Sequence, residues 1–588
     1  MAVVSNVAQR PAAPAASPPS QGRLSRFRAW FLQRSTGLIY LVTLFLGLIE
    51  LFGALDEHQR FRVHAIMKAI PIPASAAATA ITAVAGVLLL RLAAALRKHK
   101  RRAWRAAVGI TAIVTVAHVV RGVHVVTAVI SFVLFLMLVA ARSRFTAKSD
   151  PRTRLFAVRV FFQLMIVSVV FGMTMLFTYR HRVIGHPSFW LQLKEIFASM
   201  IGTGGFIKVR GERFDDIFHG TLFAFGLTTV VIVALLALRP SEPIAQLSDA
   251  DEAAIRDLLA KQGRRDSLGY FALRRDKSVV WSPTGKAAVT YRVVLGVCLA
   301  SGDPIGDPEA WPGAIAAYAD LVREYAWTPA VMGCSELGAT VFKREMGLST
   351  IALGDEAIVD VGDFSLEGRP MRGVRQACTR VARGGYDVSI RRVGDIDADE
   401  LAALNHAAVA WRTDGVERGF SMALSRMGDP ADADCVVATA TKDGQPQGML
   451  HFVPWGGDGL SLDLMRRSRD ADNGLNEYMI ATLIERCPEL GVQRVSLNFA
   501  VFREALERGE KIGAGPVSRA WRWLLVFASR WWQIESLYRF NDKFRPRWEP
   551  RFFSFPSTRD IPRIAVAALE AEAFLVRPHR LKRMLGRV

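Results

Sequence analysis

Cysteine is sparse in this chain. The five present, Cys298, Cys334, Cys378, Cys435 and Cys487, have no paired spacing, so neither a disulfide framework nor a thiolate metal site is indicated. Reduced thiols in a reducing compartment are the simple expectation. Acidic residues are nearly missing from the first 240 positions, where 29 Lys and Arg face 8 Asp and Glu. That stretch carries the whole formal charge of +21, and the other 348 residues hold 46 charges of each sign. The excess speaks of anionic lipid and cytoplasmic anchoring before nucleic acid. Residues 1–22, rich in Ala, Pro and Ser, lack an apolar core and read as a disordered cytoplasmic tail, not a cleavable signal.

Long apolar runs are what the first 240 residues do have. Six candidate spans cover residues 37–53, 74–96, 103–120, 122–140, 155–178 and 218–238. The run 103–140 is too long for one span, and the break is placed at Arg121-Gly122. Basic loops at Arg97 to Arg102 and Arg142 to Arg154 then share the side of the N-terminus, and an even count returns the chain to the cytoplasm at Arg239. His118, Arg121, His124 and Arg159 are ionisable groups in or near spans, which marks them as functional candidates because burying charge in lipid is costly. For Arg121 and His124, at a turn, snorkelling to the interface is the simpler reading. Residues 181–216 are too polar to cross but carry Phe189-Trp190-Leu191 and Ile201-Gly202-Thr203-Gly204-Gly205-Phe206, as an external loop lying on the membrane surface would.

Beyond Pro240-Ser241-Glu242-Pro243 the composition becomes that of a soluble α/β domain. Helical spacing at 249–261 precedes short strands at 270–273, 279–281 and 287–293, a helix at 310–325, a strand at 330–334 and helices near 337–345 and 371–383. The pattern then restarts. A helix at 398–411 leads to strands at 435–441 and 448–454, turned by Lys442-Asp443-Gly444, then a strand at 460–465, a helix at 474–485 and a strand at 494–499. The expected architecture is a polytopic α-helical membrane domain joined to an α/β cytosolic domain built as a tandem of N-acetyltransferase (GNAT)-like units. The division expected is a tail over 1–30, a membrane domain over 31–240, a first GNAT-like subdomain over 241–385 and a second over 386–588.

The chemistry is placed in Leu460-Ser461-Leu462-Asp463-Leu464-Met465-Arg466 and the loop and helix that follow. A carboxylate near a strand end can orient or deprotonate a hydroxyl, and a guanidinium can hold a phosphate in a fork. On this fragment alone an ordinary surface ion pair is the commoner outcome. Positions 463 and 466 fall on opposite faces of a regular strand, so a shared pocket requires a bulge or a strand end between them. Residues 466–474 hold one glycine and several charges, unlike the Gly-rich cradle an acyl-coenzyme A acetyltransferase needs there. The stretch 503–588 is locally basic, and within it Trp521, Trp523, Trp531 and Trp532 stand beside Arg519, Arg522, Arg530 and Arg539. That composition suits a bilayer interface, a lipid head group, stacking on single-stranded nucleotides, or a core helix in which Trp fills volume.

Gly269-Tyr270-Phe271-Ala272-Leu273, the run Ser301-Gly302-Asp303-Pro304-Ile305-Gly306-Asp307-Pro308-Glu309-Ala310-Trp311, Asp463-Leu464-Met465-Arg466 with Asn473-Gly474, and Lys543-Phe544-Arg545-Pro546-Arg547-Trp548-Glu549-Pro550-Arg551 resemble, in the same order, the aminoacyl-phosphatidylglycerol synthases. These are the multiple peptide resistance factors or phosphatidylglycerol lysyltransferases, and the closing residues look most like the form fused to lysyl-tRNA synthetase. The resemblance implies an enzyme of lipid metabolism that moves an aminoacyl group, lysyl in the first instance, from charged tRNA to the head-group hydroxyl of phosphatidylglycerol, altering membrane charge and resistance to cationic antibiotic peptides. It implies no cofactor and no metal. It marks Asp463, Arg466 and Lys543 as catalytic, and the accompanying reading gives Asn473, Glu477, Arg545, Arg547, Arg551, Trp531 and Trp532 to substrate binding. The expected partners are aminoacyl-tRNA, a membrane lipid and a separate aminoacyl-tRNA synthetase, since no room for a synthetase follows Val588; a homo-oligomer is left open. The expected place is the plasma membrane, multi-pass, with the N-terminus and catalytic domain cytoplasmic. The membrane part is far shorter than in members that flip their product. A different amino acid with diacylglycerol as acceptor, an acyl-coenzyme A transferase, and a tRNA-binding module without catalysis remain as alternatives.

Overall fold

The computed structural model describes residues 37–49, 85, 88–90, 92, 93, 96, 101–121, 125–142, 145, 152–237, 243, 245–412, 419–501 and 534–575. The chain divides into two compact units at Arg239–Pro240.

In the first unit Arg101–Arg121 and Val125–Ala140 are separate helices, as the break expected at Arg121-Gly122 requires. They fold back on one another: Trp104 Nε1 donates to Leu138 O at 2.7 Å, and its ring stacks on Phe145. A second group consists of Arg152–Thr178 and Glu212–Ala237 with the short amphipathic helix Phe189–Met200 packed against them. Gly226 permits that packing, because a Cβ there would lie 2.1 Å from Met200 O. Two helical segments, Val158–Thr178 and Phe214–Ala234, are long and apolar enough to cross a membrane. Gly37–Ile49, Ala103–Val116 and Val126–Ala140 are apolar but shorter, and the span expected at 74–96 falls mostly outside the described residues.

Among the described residues the second unit is built on one sheet of 12 strands. Its first half is an antiparallel meander, β1 (Ser278–Trp281), β2 (Ala287–Val294) and β3 (Val297–Ser301), with the two-residue β4 (Ile305–Gly306) beside β2. The helix Trp311–Tyr325 then crosses over to β5 (Thr328–Cys334), parallel to β3. The second half repeats this plan. β7 (Tyr386–Arg392), β8 (Val436–Lys442), β9 (Gln445–Trp455) and β10 (Gly459–Arg467) form a meander, and the helix Leu475–Arg486 crosses over to β11 (Arg494–Val501), parallel to β10. β6 (Ser349–Asp360) and β12 (Arg547–Phe555) join the halves, giving the order β3-β5-β12-β6-β11-β10 across the centre. A strand from near the end of the chain is thereby inserted between β5 and β6.

Two departures from the sequence reading matter. Residues 270–273 belong to a buried 3-10 turn, Gly269–Leu273, not a strand; an apolar run buried on every side has no period to read. β3, β6, β7 and β12 were not anticipated. The hairpin over β8 and β9 has the expected turn, with Asp443 and Gly444 at φ 50° and 73°, which a tight hairpin loop requires.

Each face of the sheet has its own core. Leu450, Phe452, Leu460 and Leu462 face the helices Arg372–Arg383 and Leu475–Arg486, together with Phe544. Val437, Met449 and Val453 face the other way, with Leu464, Leu424 and the turn Gly269–Leu273.

Candidate active site

β10 contains the irregularity that the spacing of Asp463 and Arg466 demands. Leu462 pairs with Phe452 and Leu464 with His451, so Asp463 is the extra residue of a bulge. Leu464 lies on the face of Met449 and Val453, and the bulge turns Asp463 to that same face, where it meets His451. Arg466, two residues past Leu464 and paired with Met449, shares it.

The Asp463 carboxylate is buried and held at both oxygens. Oδ2 lies 2.7 Å from His451 Nδ1, and Oδ1 accepts the Leu424 N–H at 2.6 Å. Beside it the sheet opens. β10 and β11 pair from Gly459–Arg494 to Ser461–Ser496, and beyond that the Asn498 side-chain amide, not a strand N–H, donates to Leu462 O at 2.7 Å. Asn498 has φ 70°, and β11 shifts register there against β6. The Ser461 hydroxyl at this opening is buried without a hydrogen-bond partner among the described residues.

Lys543 and Glu477 are brought together but stand elsewhere. Lys543 Nζ donates to Glu477 Oε1 at 2.7 Å and lies over the Phe540 ring. Glu477 belongs to the helix Leu475–Arg486, and Phe540, Phe544 and that helix pack on the Leu450–Phe452 face. The pair therefore sits on the side of the sheet opposite Asp463. Gly474, at φ 99°, starts the helix where a Cβ would lie 3.0 Å from Ala377 Cβ. Asn473 offers its backbone oxygen to Arg380 at 2.8 Å.

Of the remaining candidates, Arg545 is exposed at φ 52°, and Arg547 is half exposed and paired with Asp360 and Glu549. Arg551 is buried. Its Nε and Nη2 donate to Glu356 Oε2 at 2.9 and 2.5 Å, Nη1 to Asp266 Oδ1 and Gly333 O, and Nη2 to Ser267 Oγ. All five guanidinium donors are spent inside the protein, which makes Arg551 part of a buried ion-pair network. Glu356 also accepts from Ser267 and Ser496, and Asp303, below the same cluster, holds Ser335 N and Oγ at 2.8 and 2.5 Å. Burial and the nearby Asp266 push the Asp303 carboxyl up to about 6. Trp531 and Trp532 lie outside the described residues. Among the described residues no cluster of His, Cys, Asp and Glu has the form of a metal site.

Sequence reasoning missed His451, Leu424, Asn498 and Glu356. A lone histidine inside an apolar strand carries no spacing signal, and its partnership with Asp463 exists only because of the bulge.

The fold and site are those of an α/β unit with a duplicated plan and a buried carboxylate where its central ladder parts. Residues 256–555 match the family described as "Phosphatidylglycerol lysyltransferase, C-terminal", and the chain belongs to that family. It is 52% identical over 360 residues to the "Lysylphosphatidylglycerol biosynthesis bifunctional protein LysX" of Mycolicibacterium vanbaalenii, covering 61% of this chain and 33% of that one. It is 44% identical over 506 residues to the protein of the same name from Mycolicibacterium gilvum, covering 84% and 45%. The chain thus spans less than half the length of these curated relatives. Among solved structures it is similar to L-PGS from Bacillus licheniformis, at 19% identity and a TM-score of 0.49, over 57% of this chain and 100% of that one.

Proposed function

We propose that the chain transfers an aminoacyl group, lysyl in the first instance, from aminoacyl-tRNA to the glycerol hydroxyl of phosphatidylglycerol at the cytoplasmic face of the membrane. The observation that carries this reading is the bulge that sets Asp463 and Arg466 on one face of the sheet, beside the opening between β10 and β11. The aminoacyl ester arrives activated, so the protein has to bring a hydroxyl to the ester carbonyl and keep water out. Asp463 receives the hydroxyl proton as the lipid oxygen bonds to the carbonyl carbon. The bond from that carbon to the tRNA ribose oxygen then breaks, and the proton passes to the ribose oxygen, leaving Asp463 as it began. Arg466 holds the lipid phosphate. Lys543, on the other face, holds the phosphate-rich donor with the exposed Arg380, Arg383 and Arg545.

In this reading the first 240 residues form a multi-pass anchor of six spans, and the soluble unit is a tandem of GNAT-like subdomains meeting near residue 385. Expression of the chain in cells that make phosphatidylglycerol but no aminoacylated lipid, with mass spectrometry of extracted lipids, tests it. Lysyl-phosphatidylglycerol is expected, and about 100-fold less or lower with Asp463→Asn. An aminoacylated lipid without phosphate removes the role given to Arg466, and no new lipid refutes the transfer.

A further inference from the structure

His451 has no part in the reading above, yet it is fully buried in β9 with one ring nitrogen on the Asp463 carboxylate. Its other nitrogen, Nε2, has no hydrogen-bond partner among the described residues. The group facing it is the Cys435 thiol, itself fully buried at the start of β8 and flanked by Asp432. Burial works against charge on the ring, but the Asp463 carboxylate and the adjoining Cys435 together outweigh it and lift the pKa to about 10. Burial pushes the Cys435 thiol up, and it stays neutral. The carboxylate is therefore clamped between a charged ring N–H and the Leu424 amide, beside the apolar side chains of Met449, Val453 and Leu464. A buried ion pair is a poor way to stabilise a fold, since apolar side chains of the same volume fill such a site at lower cost.

We propose that His451 is a positioning residue for the transfer: its ring fixes the direction and charge of the Asp463 carboxylate at the bulge, and Cys435 seals the far side of the ring from water. The inference rests on Asp463 acting in the reaction. His451 keeps its proton throughout, so the step written above balances without it. With the ring N–H on Oδ2 and the Leu424 amide on Oδ1, the carboxylate is held in one direction while it takes up the hydroxyl proton.

The test uses the full chain in phosphatidylglycerol liposomes with lysyl-tRNA, comparing Asp463→Asn, His451→Ala and His451→Asn. Asparagine keeps an N–H near the place of Nδ1 but carries no charge. His451→Ala is expected to lower kcat by about 10–100-fold, with KM for both substrates within about threefold and the acid limb of the pH–rate profile moved upward. His451→Asn is expected to recover about tenfold of that loss while keeping the displaced limb. A His451→Ala enzyme with full kcat beside a dead Asp463→Asn enzyme overturns the proposal. An active Asp463→Asn enzyme instead refutes the role of Asp463 itself. Where circular dichroism shows that His451→Ala does not fold, His451→Asn decides: full kcat with an unmoved pH profile overturns the proposal, and a reduced rate with a displaced limb sustains it.

Discussion

Asp463 and Lys543 lie on opposite faces of one sheet. Asp463 points to the face of Met449 and Val453, while Lys543 pairs with Glu477 over the face of Leu450 and Phe452. In the proposed transfer, two groups so separated act on different parts of the reacting pair, and their losses should add. In a transfer assay the changes in RT ln(kcat/KM) for Asp463→Asn and Lys543→Ala are expected to sum within about 0.5 kcal/mol in the double variant. Lys543→Ala and Glu477→Ala share an ion pair at 2.7 Å and should fall well short of additive. A strongly non-additive Asp463–Lys543 pair would mean that both touch one reacting centre.

Arg551 is expected to behave as a core residue. Replacing it with Met leaves Glu356, fully buried, and Asp266 without their cation. Removing one partner of a buried ion pair costs about 3–5 kcal/mol, so Arg551→Met should lower the thermal midpoint sharply. Adding Glu356→Gln to that variant should restore part of the loss, because it removes the stranded charge. An Arg551→Met protein of normal stability whose only defect is a raised KM would return Arg551 to the substrate.

What the sequence disclosed and what it hid divide along the range of the interactions. The β1–β2 and β8–β9 hairpins, the Asp443-Gly444 turn and the crossover helices Trp311–Tyr325 and Leu475–Arg486 are local, and periodicity with turn chemistry found them. The bulge at Asp463 was legible because spacing of three on a strand has few other ways to bring two side chains together. β6 was not, since Gly354-Asp355-Glu356 in its middle looks like a loop. Glu356 is tolerable in a central strand only because Arg551 arrives from 195 residues away. β12 was hidden for the same reason, its Arg and Glu residues suggesting a surface run until their partners are known.

Asp303 makes stability depend on pH. Its carboxyl titrates near 6 in the folded protein, against about 3.9 in an unfolded chain. Between those values the folded state holds the extra proton, so stability falls as pH rises from about 4 through 6 and stays lowered above. A difference of two units corresponds to about 2–3 kcal/mol. Asp303→Asn removes the charge and keeps an acceptor for Ser335 N. It should unfold later than the parent at pH 7.5, with the gap closing near pH 4. A gap that is the same at both pH values would show that Asp303 is not the titrating group.

In the first unit, Glu195 closes the loop that follows the helix Phe189–Met200. Its side chain is buried, with Oε1 accepting from Gly205 N at 2.6 Å and Oε2 from Phe206 N and Ile207 N at 2.6 and 3.0 Å. Every one of these partners is a donor, so an ionised carboxylate fits and an amide does not. In Glu195→Gln the new NH2 must face either the Gly205 amide or the pair at Phe206 and Ile207, so an amide loses its acceptor, at about 1–3 kcal/mol where that amide is the buried Ile207 N–H. Hydrogen exchange of residues 205–207 in detergent should accelerate about 5–100-fold, with the helix Glu212–Ala237 unaffected beyond its first turns. Unchanged exchange there would mean that the three amides find other acceptors, and that the carboxylate is not what orders the loop.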